Sequence, residues 1–196
     1  DLAPITGYNH PKYGQAGLEA SLDGYLRGLQ GTPAITIWWN HLLYGTSPPG
    51  LDVRLTIDLY LQFRADEMML GHSGSAVMLN AQTGEILIMS SHPTFNPNHL
   101  NEIGEQLRTD PDRPLINRAA QGLYPTGTAL TPFTQAVLNK QALNEVEREI
   151  VHDTIGFHRV PQIQLPVSES LSTNELDHFH VSPLQMALAS AALSNH

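Results

Sequence analysis

The sequence predicts an α+β fold in which helices flank a small antiparallel sheet. Two apolar-rich runs, 75–80 and 85–90, are separated by four residues that end in Gly84, a pattern typical of a β-hairpin. Helix starts are indicated on both sides of this hairpin, at Asp58 and at Ser182. With 196 residues, the chain is long enough for one domain with a hydrophobic core, or for such a domain with a small appendage.

The charge balance argues against several kinds of partner. Ten Lys and Arg against nineteen Asp and Glu give a net charge of −9, and no basic run offsets it, so nucleic acid and anionic membrane surfaces are poor partners. The lack of cysteine excludes disulfides, thiolate metal sites and cysteine nucleophiles. The longest apolar run, 34–39, is far shorter than the roughly 20 residues of a membrane span, so we expect none in this chain.

Residues 1–50 differ in pattern from the rest of the chain. Leucines at 18, 22, 26 and 29 trace one helical face, which predicts a helix within 15–30. The run 34–39 predicts a short strand, in which Trp38 and Trp39 point to opposite faces. Two prolines within 45–50 mark a boundary. We therefore expect a separate segment over 1–50 and the main domain over 51–196.

The main domain begins with an extended segment and a helix. Val53, Leu55 and Ile57 alternate with polar residues, and Asp58 is placed to cap a helix that runs to about Leu70. The proline-rich stretch 91–127 predicts a long loop of the kind that is functional or mobile.

Three helix starts are predicted towards the carboxyl end. Thr131 is a candidate N-cap with Pro132 at the first helical position. Asn144 and Glu147 have the spacing of a capping box, as do Ser182 and Gln185. The helix after Ser182, to about residue 193, is apolar on most sides, which predicts that it is buried.

Several short motifs occur in one order along the chain. Residues 55–58 read Leu-Thr-Ile-Asp and 61–62 read Leu-Gln; 83–87 read Thr-Gly-Glu-Ile-Leu; 95–98 read Phe-Asn-Pro-Asn; 117–119 read Asn-Arg-Ala; 181–187 read Val-Ser-Pro-Leu-Gln-Met-Ala. Residues 124–134 align without a gap on the motif YPPGSTFKPFT. In this order the motifs resemble the transpeptidase domain of penicillin-binding proteins, and Gly17-Leu18-Glu19 resembles the region that precedes this domain in class B members.

The resemblance implies a fold and an activity. The fold would be that of the penicillin-binding transpeptidases and serine β-lactamases, with a truncated sheet and flanking helices, preceded by a pedestal or linker segment over 1–50. The family cross-links peptidoglycan stem peptides through an acyl-serine, which β-lactams also acylate, with a lysine one helical turn away. Its members work outside the cytoplasmic membrane, so we expect this chain there too, anchored through a segment not present here.

The chain departs from the family at the residues that carry the chemistry. The aligned serine is Thr128 and the aligned lysine is Thr131, which has no basic group. No Ser-x-Asn motif lies between Thr134 and Ile155, and the Lys-Thr-Gly motif expected after 181–192 is not reached by His196. Because loss of a general base typically costs about 10²–10⁴-fold in rate, we expect an inactive homologue that binds stem peptides or cell-wall assembly proteins.

Alternative interpretations remain open. Thr128 could be the nucleophile of a transpeptidase or carboxypeptidase, with a histidine or a partner chain supplying the base. The chain could instead be a structural dimerisation module with 1–50 as its contact, and Thr128 and Thr131 could be ordinary helix-start residues. Because an isolated hairpin is marginal, we expect 34–39, another local segment, or a second chain in a homo-oligomer, to extend the sheet.

Ten histidines raise the question of a metal site. His152, Asp153 and His158 lie close together in sequence, and His178 and His180 would share one side of a strand. Such clusters can bind zinc, but the chain has no helix-spaced His-x-x-x-His pair. We therefore expect no metal and no cofactor.

Overall fold

The structure, a computed structural model, describes residues 1–30, 33–45, 49–140, 144–172 and 179–195. The predictions that involve His178 and His196 lie outside these residues. The α-helices of the described residues are α1 Ala3–Thr6, α2 Gly17–Ser21, α3 Asp23–Leu26, α4 Ala34–Tyr44, α5 Leu59–Met69, α6 Leu100–Thr109, α7 Thr131–Leu138, α8 Glu145–Thr154 and α9 Pro183–Ser194. The strands are β1 Tyr8–His10, β2 Gly14–Ala16, β3 Gly74–Leu79, β4 Ile86–His92, β5 Tyr124–Pro125, β6 Leu171–Ser172 and β7 Phe179–Val181.

The predicted hairpin is confirmed. Strands β3 and β4 pair antiparallel, and Gly84 has the positive φ, +77°, that favours glycine in the turn. The segment predicted to be extended over 53–58 lies beside β4, where Thr56 Oγ1 donates to the Ile86 carbonyl (2.7 Å) and the Asp58 amide donates to the Leu87 carbonyl (3.0 Å). Among the described residues no third strand pairs with β3.

The strand predicted at 34–39 is wrong. These residues begin helix α4, which follows Pro33 and ends at Gly45 in the left-handed conformation. A short apolar run without alternation fits a strand and a helix equally well. Trp38 and Trp39 are 56% and 52% exposed, so neither packs inward as the strand predicted.

Two further predictions need correction. The single helix expected within 15–30 is divided into α2 and α3, with Leu22 between them, and β2 occupies 14–16. The long loop expected over 91–127 contains a 3₁₀ turn, Pro97–His99, and helix α6. The loop is predicted from the prolines of this stretch, but Pro97 occupies the first turn of a helical segment, where its missing N–H is tolerated.

Three predicted helix starts are confirmed. The Asp58 side chain accepts from the amides of Tyr60 (2.9 Å) and Leu61 (3.0 Å). Capping boxes are complete at Asn144 before α8 and at Ser182 before α9. Burial of α9 on most sides is wrong, because its described residues bury one face and leave Leu188 37% exposed.

The core consists of clusters that join distant parts of the chain. One cluster brings Ile5 of α1 against Met89 of β4 and Leu184 of α9. Another surrounds Phe133 of α7. The second cluster also contains Val151, Ile155, Phe157, Phe179, Val181 and Ala189. Within the described ranges, every helix is too short or too polar to cross a lipid bilayer.

Candidate functional site

Thr128 lies in a 3₁₀ turn, Gly127–Leu130, between β5 and α7. Its side chain is exposed, and within the described part of the chain its Oγ1 has no hydrogen-bond partner. Strand β7 holds the start of this turn, because the Thr126 amide donates to the Phe179 carbonyl (3.1 Å). The backbone of the turn is therefore held in place, while the hydroxyl at the predicted nucleophile position has no hydrogen bond to a base in the part of the chain that the structure describes.

Thr131 does not cap α7 as the sequence predicts. It is itself the first residue of α7, directly after the 3₁₀ turn, and no side chain caps this helix. Its backbone carbonyl accepts from Thr134 Oγ1 (2.9 Å), whereas its own hydroxyl is exposed. Of the two predicted site residues, neither caps a helix, and neither contacts a basic or acidic group among the described residues.

An apolar cleft lies beside this segment. Its volume is about 550 Å³, and it is bounded by β3, the 124–129 segment and α9. Thr126 and Ala129 line the cleft, but Thr128 does not. The described lining residues include no Lys, Arg or His and no carboxylate. Ser75 Oγ on β3 is buried there without a hydrogen-bond partner in the described structure. Sequence reasoning missed Ser75, because its only signal is a polar position in an apolar strand.

Other residues of the ordered motifs perform structural work. Asn117 is buried, donates through Nδ2 to the Pro4 carbonyl (3.0 Å) and accepts from the Ala119 amide (3.1 Å). The Ala119 carbonyl in turn accepts from the Leu184 amide (3.0 Å). One asparagine therefore links the amino-terminal segment to the start of α9.

Gln62 and Asp66 form a second buried polar network, between α5 and β4. Gln62 Oε1 accepts from the Met89 amide (2.9 Å), and Asp66 Oδ1 accepts from Ser90 Oγ (2.6 Å) and lies 3.2 Å from His92 Nε2. Burial opposes ionisation of Asp66, but hydrogen bonds from the Asp1 amino group, Ser90 and His92 outweigh it and hold its pKa below the usual value.

Comparison with known proteins identifies a family and several relatives. Residues 74–155 match the family described as penicillin binding protein transpeptidase domain. The chain is 34% identical over 130 residues to peptidoglycan D,D-transpeptidase MrdA of Acinetobacter baumannii, an alignment that covers 61% of this chain and 19% of that protein. It is 35% identical over 151 residues to peptidoglycan D,D-transpeptidase PbpA of Mycolicibacterium smegmatis, covering 68% of this chain and 30% of that protein.

A solved structure gives the fold. Penicillin-binding protein A from M. tuberculosis, an imipenem acyl-enzyme complex, superposes with a TM-score of 0.80 at 20% identity over 99% of this chain and 63% of that chain. The chain has the penicillin-binding/β-lactamase-like fold and belongs to the penicillin-binding protein transpeptidase family. Its matched region spans less than a third of the curated relatives named above.

Proposed function

We propose that this chain is a non-catalytic penicillin-binding-protein homologue that acts in peptidoglycan assembly, outside the cytoplasmic membrane, by binding a partner. The observation that carries the proposal is the exposed hydroxyl of Thr128, which has no hydrogen-bond partner among the described residues; Thr131 stands where the resemblance leads us to expect the family's lysine. A hydroxyl is a weak nucleophile until a neighbouring base takes its proton. Without such a base, the acyl-enzyme step has no means of starting.

The connection between α7 and α8 supports the same conclusion. Helix α7 ends at Leu138, Asn139 takes the left-handed conformation, and α8 begins at Glu145. The resemblance places the Ser-x-Asn motif before Ile155, in a region that here is too short to hold its helical insert. The serine and asparagine of that motif, which the resemblance leads us to expect in the active site, are therefore missing from the sequence between the two helices.

The cleft beside Thr128 favours a protein partner over a stem peptide. A stem peptide ends in a carboxylate, which a protein normally meets with Arg, Lys or hydrogen-bond donors. The described lining of the cleft carries no Lys or Arg and is mostly apolar, which suits an apolar side chain of an assembly protein. We therefore favour a scaffold role, with cell-wall assembly proteins as the partner class.

Acylation by benzylpenicillin tests the proposal directly. We expect the intact mass to remain unchanged after incubation, while a thermal melt shows a folded protein. Penicillin-binding protein A from M. tuberculosis, which forms a penicillin G acyl-enzyme, is the positive control. A one-penicillin adduct that maps to Thr128 and disappears in Thr128→Ala would contradict the proposal.

A catalytic alternative is favoured by one observation. The register of β5 and β7 places His180 opposite Pro125, three residues before Thr128, so a histidine belongs to the strand beside the turn. If His180 is the base, both Thr128→Ala and His180→Asn abolish D-Ala-D-Ala carboxypeptidase activity. Activity unchanged in either variant rules this alternative out.

A dimerisation role is favoured by α4. Ile35, Trp38 and Leu42 are 66%, 56% and 60% exposed on this helix, and exposed apolar side chains grouped on one helix are typical of a protein–protein contact. If α4 forms a contact between two copies, Trp38→Ser with Leu42→Ser converts a dimer to a monomer by light scattering. An unchanged oligomeric state in the double variant excludes α4 as the contact.

A further inference from the structure

Three metal-ligating side chains meet at the end of α8, away from the Thr128 turn in sequence. Glu149 and His152 lie three residues apart on α8, and His158 follows the turn at Gly156, whose φ is +80°. One donor atom from each residue lies within 4.8 Å of the other two. His158 Nε2 and Glu149 Oε1 are 3.1 Å apart. The helix and the turn therefore bring two imidazoles and a carboxylate to one point.

His152 is the least usual member of this group. Its side chain is buried, with 6% of the residue exposed, and its ring stacks on Phe179 with centroids 4.1 Å apart. Its Nε2 is buried without a hydrogen-bond partner in the described structure. Because a buried polar atom without a partner costs free energy, a ligand bound to this nitrogen would remove a cost that the described residues leave in place.

The charges around His152 include one that favours a bound cation and one that opposes it. Burial lowers the pKa of the His152 imidazole, and the charges of His158 and Arg148 lower it further, while Glu149 opposes them. The neutral imidazole that results is the form that ligates metals. Arg148 adds a positive charge that disfavours a cation, whereas the carboxylate of Glu149 offsets it.

We propose that Glu149, His152 and His158 form a three-ligand site for a divalent transition metal, with Zn²⁺ the preferred ion. Two imidazoles and one carboxylate are a ligand set typical of zinc, with water in the fourth position. Calcium and magnesium require oxygen ligands, which this site offers only once. Unlike the sequence expectation, the structure brings Glu149, and not Asp153, to the two histidines.

The donor atoms need to move only slightly closer together to bind one metal ion. Tetrahedral zinc with ligand bonds of about 2.0–2.2 Å places donor atoms roughly 3.3 Å apart. The Glu149–His158 pair already lies at this separation, at 3.1 Å. His152 is fixed by its stacking on Phe179, while the exposed side chains of Glu149 and His158 can move inward. Zinc would thereby join the end of α8 to the turn that follows it and stabilise the folded state.

Zinc titration of chelator-treated protein tests the site. We expect one equivalent of Zn²⁺ by calorimetry, a melting temperature that rises with zinc, and the visible absorption of tetrahedral cobalt when Co²⁺ replaces it. Glu149→Gln and His158→Asn, both at exposed positions, should each weaken binding by at least about tenfold. His152 is left unchanged because its burial couples any substitution to folding.

His99 provides a matched control. Its Nδ1 lies 3.1 Å from Glu102 Oε2, as close as the pair at the proposed site, but the described residues supply no third ligand there. His99→Gln should leave zinc affinity and the cobalt spectrum unchanged. Failure to bind an equivalent of zinc, or equal binding by wild type, Glu149→Gln and His158→Asn, would overturn the proposal without affecting the penicillin test.

Discussion

The starts of α9 and α7 are both matched by family motifs, yet they differ in almost every physical respect. Ser182 is fully buried and shares a complete capping box with Gln185. Thr131 is exposed at the start of a helix that no side chain caps. At α9 the side chain of the capping residue is buried and hydrogen-bonded, whereas at α7 the Thr131 hydroxyl is exposed and has no hydrogen-bond partner among the described residues.

The two helix starts differ in whether the residues of the motif also pack in the hydrophobic core. At α9, the residues that begin the helix also hold the core, since Leu184 packs against Ile5 and Met89. At α7, the core contact is made by Phe133, two residues beyond Thr131. The hydroxyls of Thr128 and Thr131 have no hydrogen-bond partner among the described residues, so we expect that these two positions can change while the fold is retained.

The largest loss of unfolding free energy is expected at the start of α9, where Leu184 packs in the core. Leu184→Ala removes a fully buried side chain, which should lower the free energy of unfolding by about 2–5 kcal/mol. Leu188→Ala on the same helix, at a position 37% exposed, is the control and should cost clearly less. Urea denaturation measures both, and equal losses would show that α9 is not anchored through Leu184.

The buried network at Asp66 should come next. Asp66→Asn keeps an amide oxygen for Ser90 and His92 but removes the charge of the carboxylate, so the hydrogen bonds that it accepts weaken, which should cost about 1–3 kcal/mol of unfolding free energy at pH 7. Because the folded-state pKa of Asp66 is lowered, its contribution is present above the unfolded value, about 3.9, and is lost as the pH falls from there.

Urea titrations at several pH values test this linkage. The wild type should lose stability below about pH 4 more steeply than Asp66→Asn, since the variant has no carboxylate to protonate at this position. Asp112→Asn, at an exposed loop position, is the control for general acid effects. Parallel pH profiles for wild type and Asp66→Asn would contradict the assignment.

A smaller effect is expected at the capping box. Ser182→Ala removes the hydroxyl that accepts from the Gln185 amide (3.2 Å), and should cost about 1 kcal/mol. Ser190→Ala, which removes an exposed hydroxyl from the same helix, serves as the matched control. Thermal and urea denaturation should rank wild type above Ser182→Ala, and an unchanged midpoint would show that burial alone holds this helix start.

The smallest effect is expected at the other helix start. Thr131→Ala and Thr128→Ala remove exposed hydroxyls without partners in the described structure, so each should change the unfolding free energy by less than about 0.5 kcal/mol. A loss above 1 kcal/mol, on the order of a cap, would show that the 3₁₀ turn uses these side chains and would remove the contrast with Ser182.

Sequence reasoning succeeded where a few adjacent residues decide the outcome. The hairpin turn at Gly84, the Asp58 cap and the capping box at Asn144 each depend on groups within four residues of one another. It failed at 34–39 and in the proline-rich stretch, because an apolar run and a proline each fit more than one backbone conformation. Which conformation forms depends on packing that the local pattern does not contain.

By itself, the sequence determined the order of the motifs and pointed to the family, and the resemblance leads us to expect that Thr128 and Thr131 stand at the family's serine and lysine positions. Only the tertiary structure decided what surrounds them. It gave both hydroxyls no hydrogen-bond partner within the described ranges, linked Asn117 to Pro4 across the chain, and placed Glu149 beside His152 and His158. The reason is that these contacts join separate elements or the two sides of a turn, and their distances are set by how helices and strands pack in three dimensions.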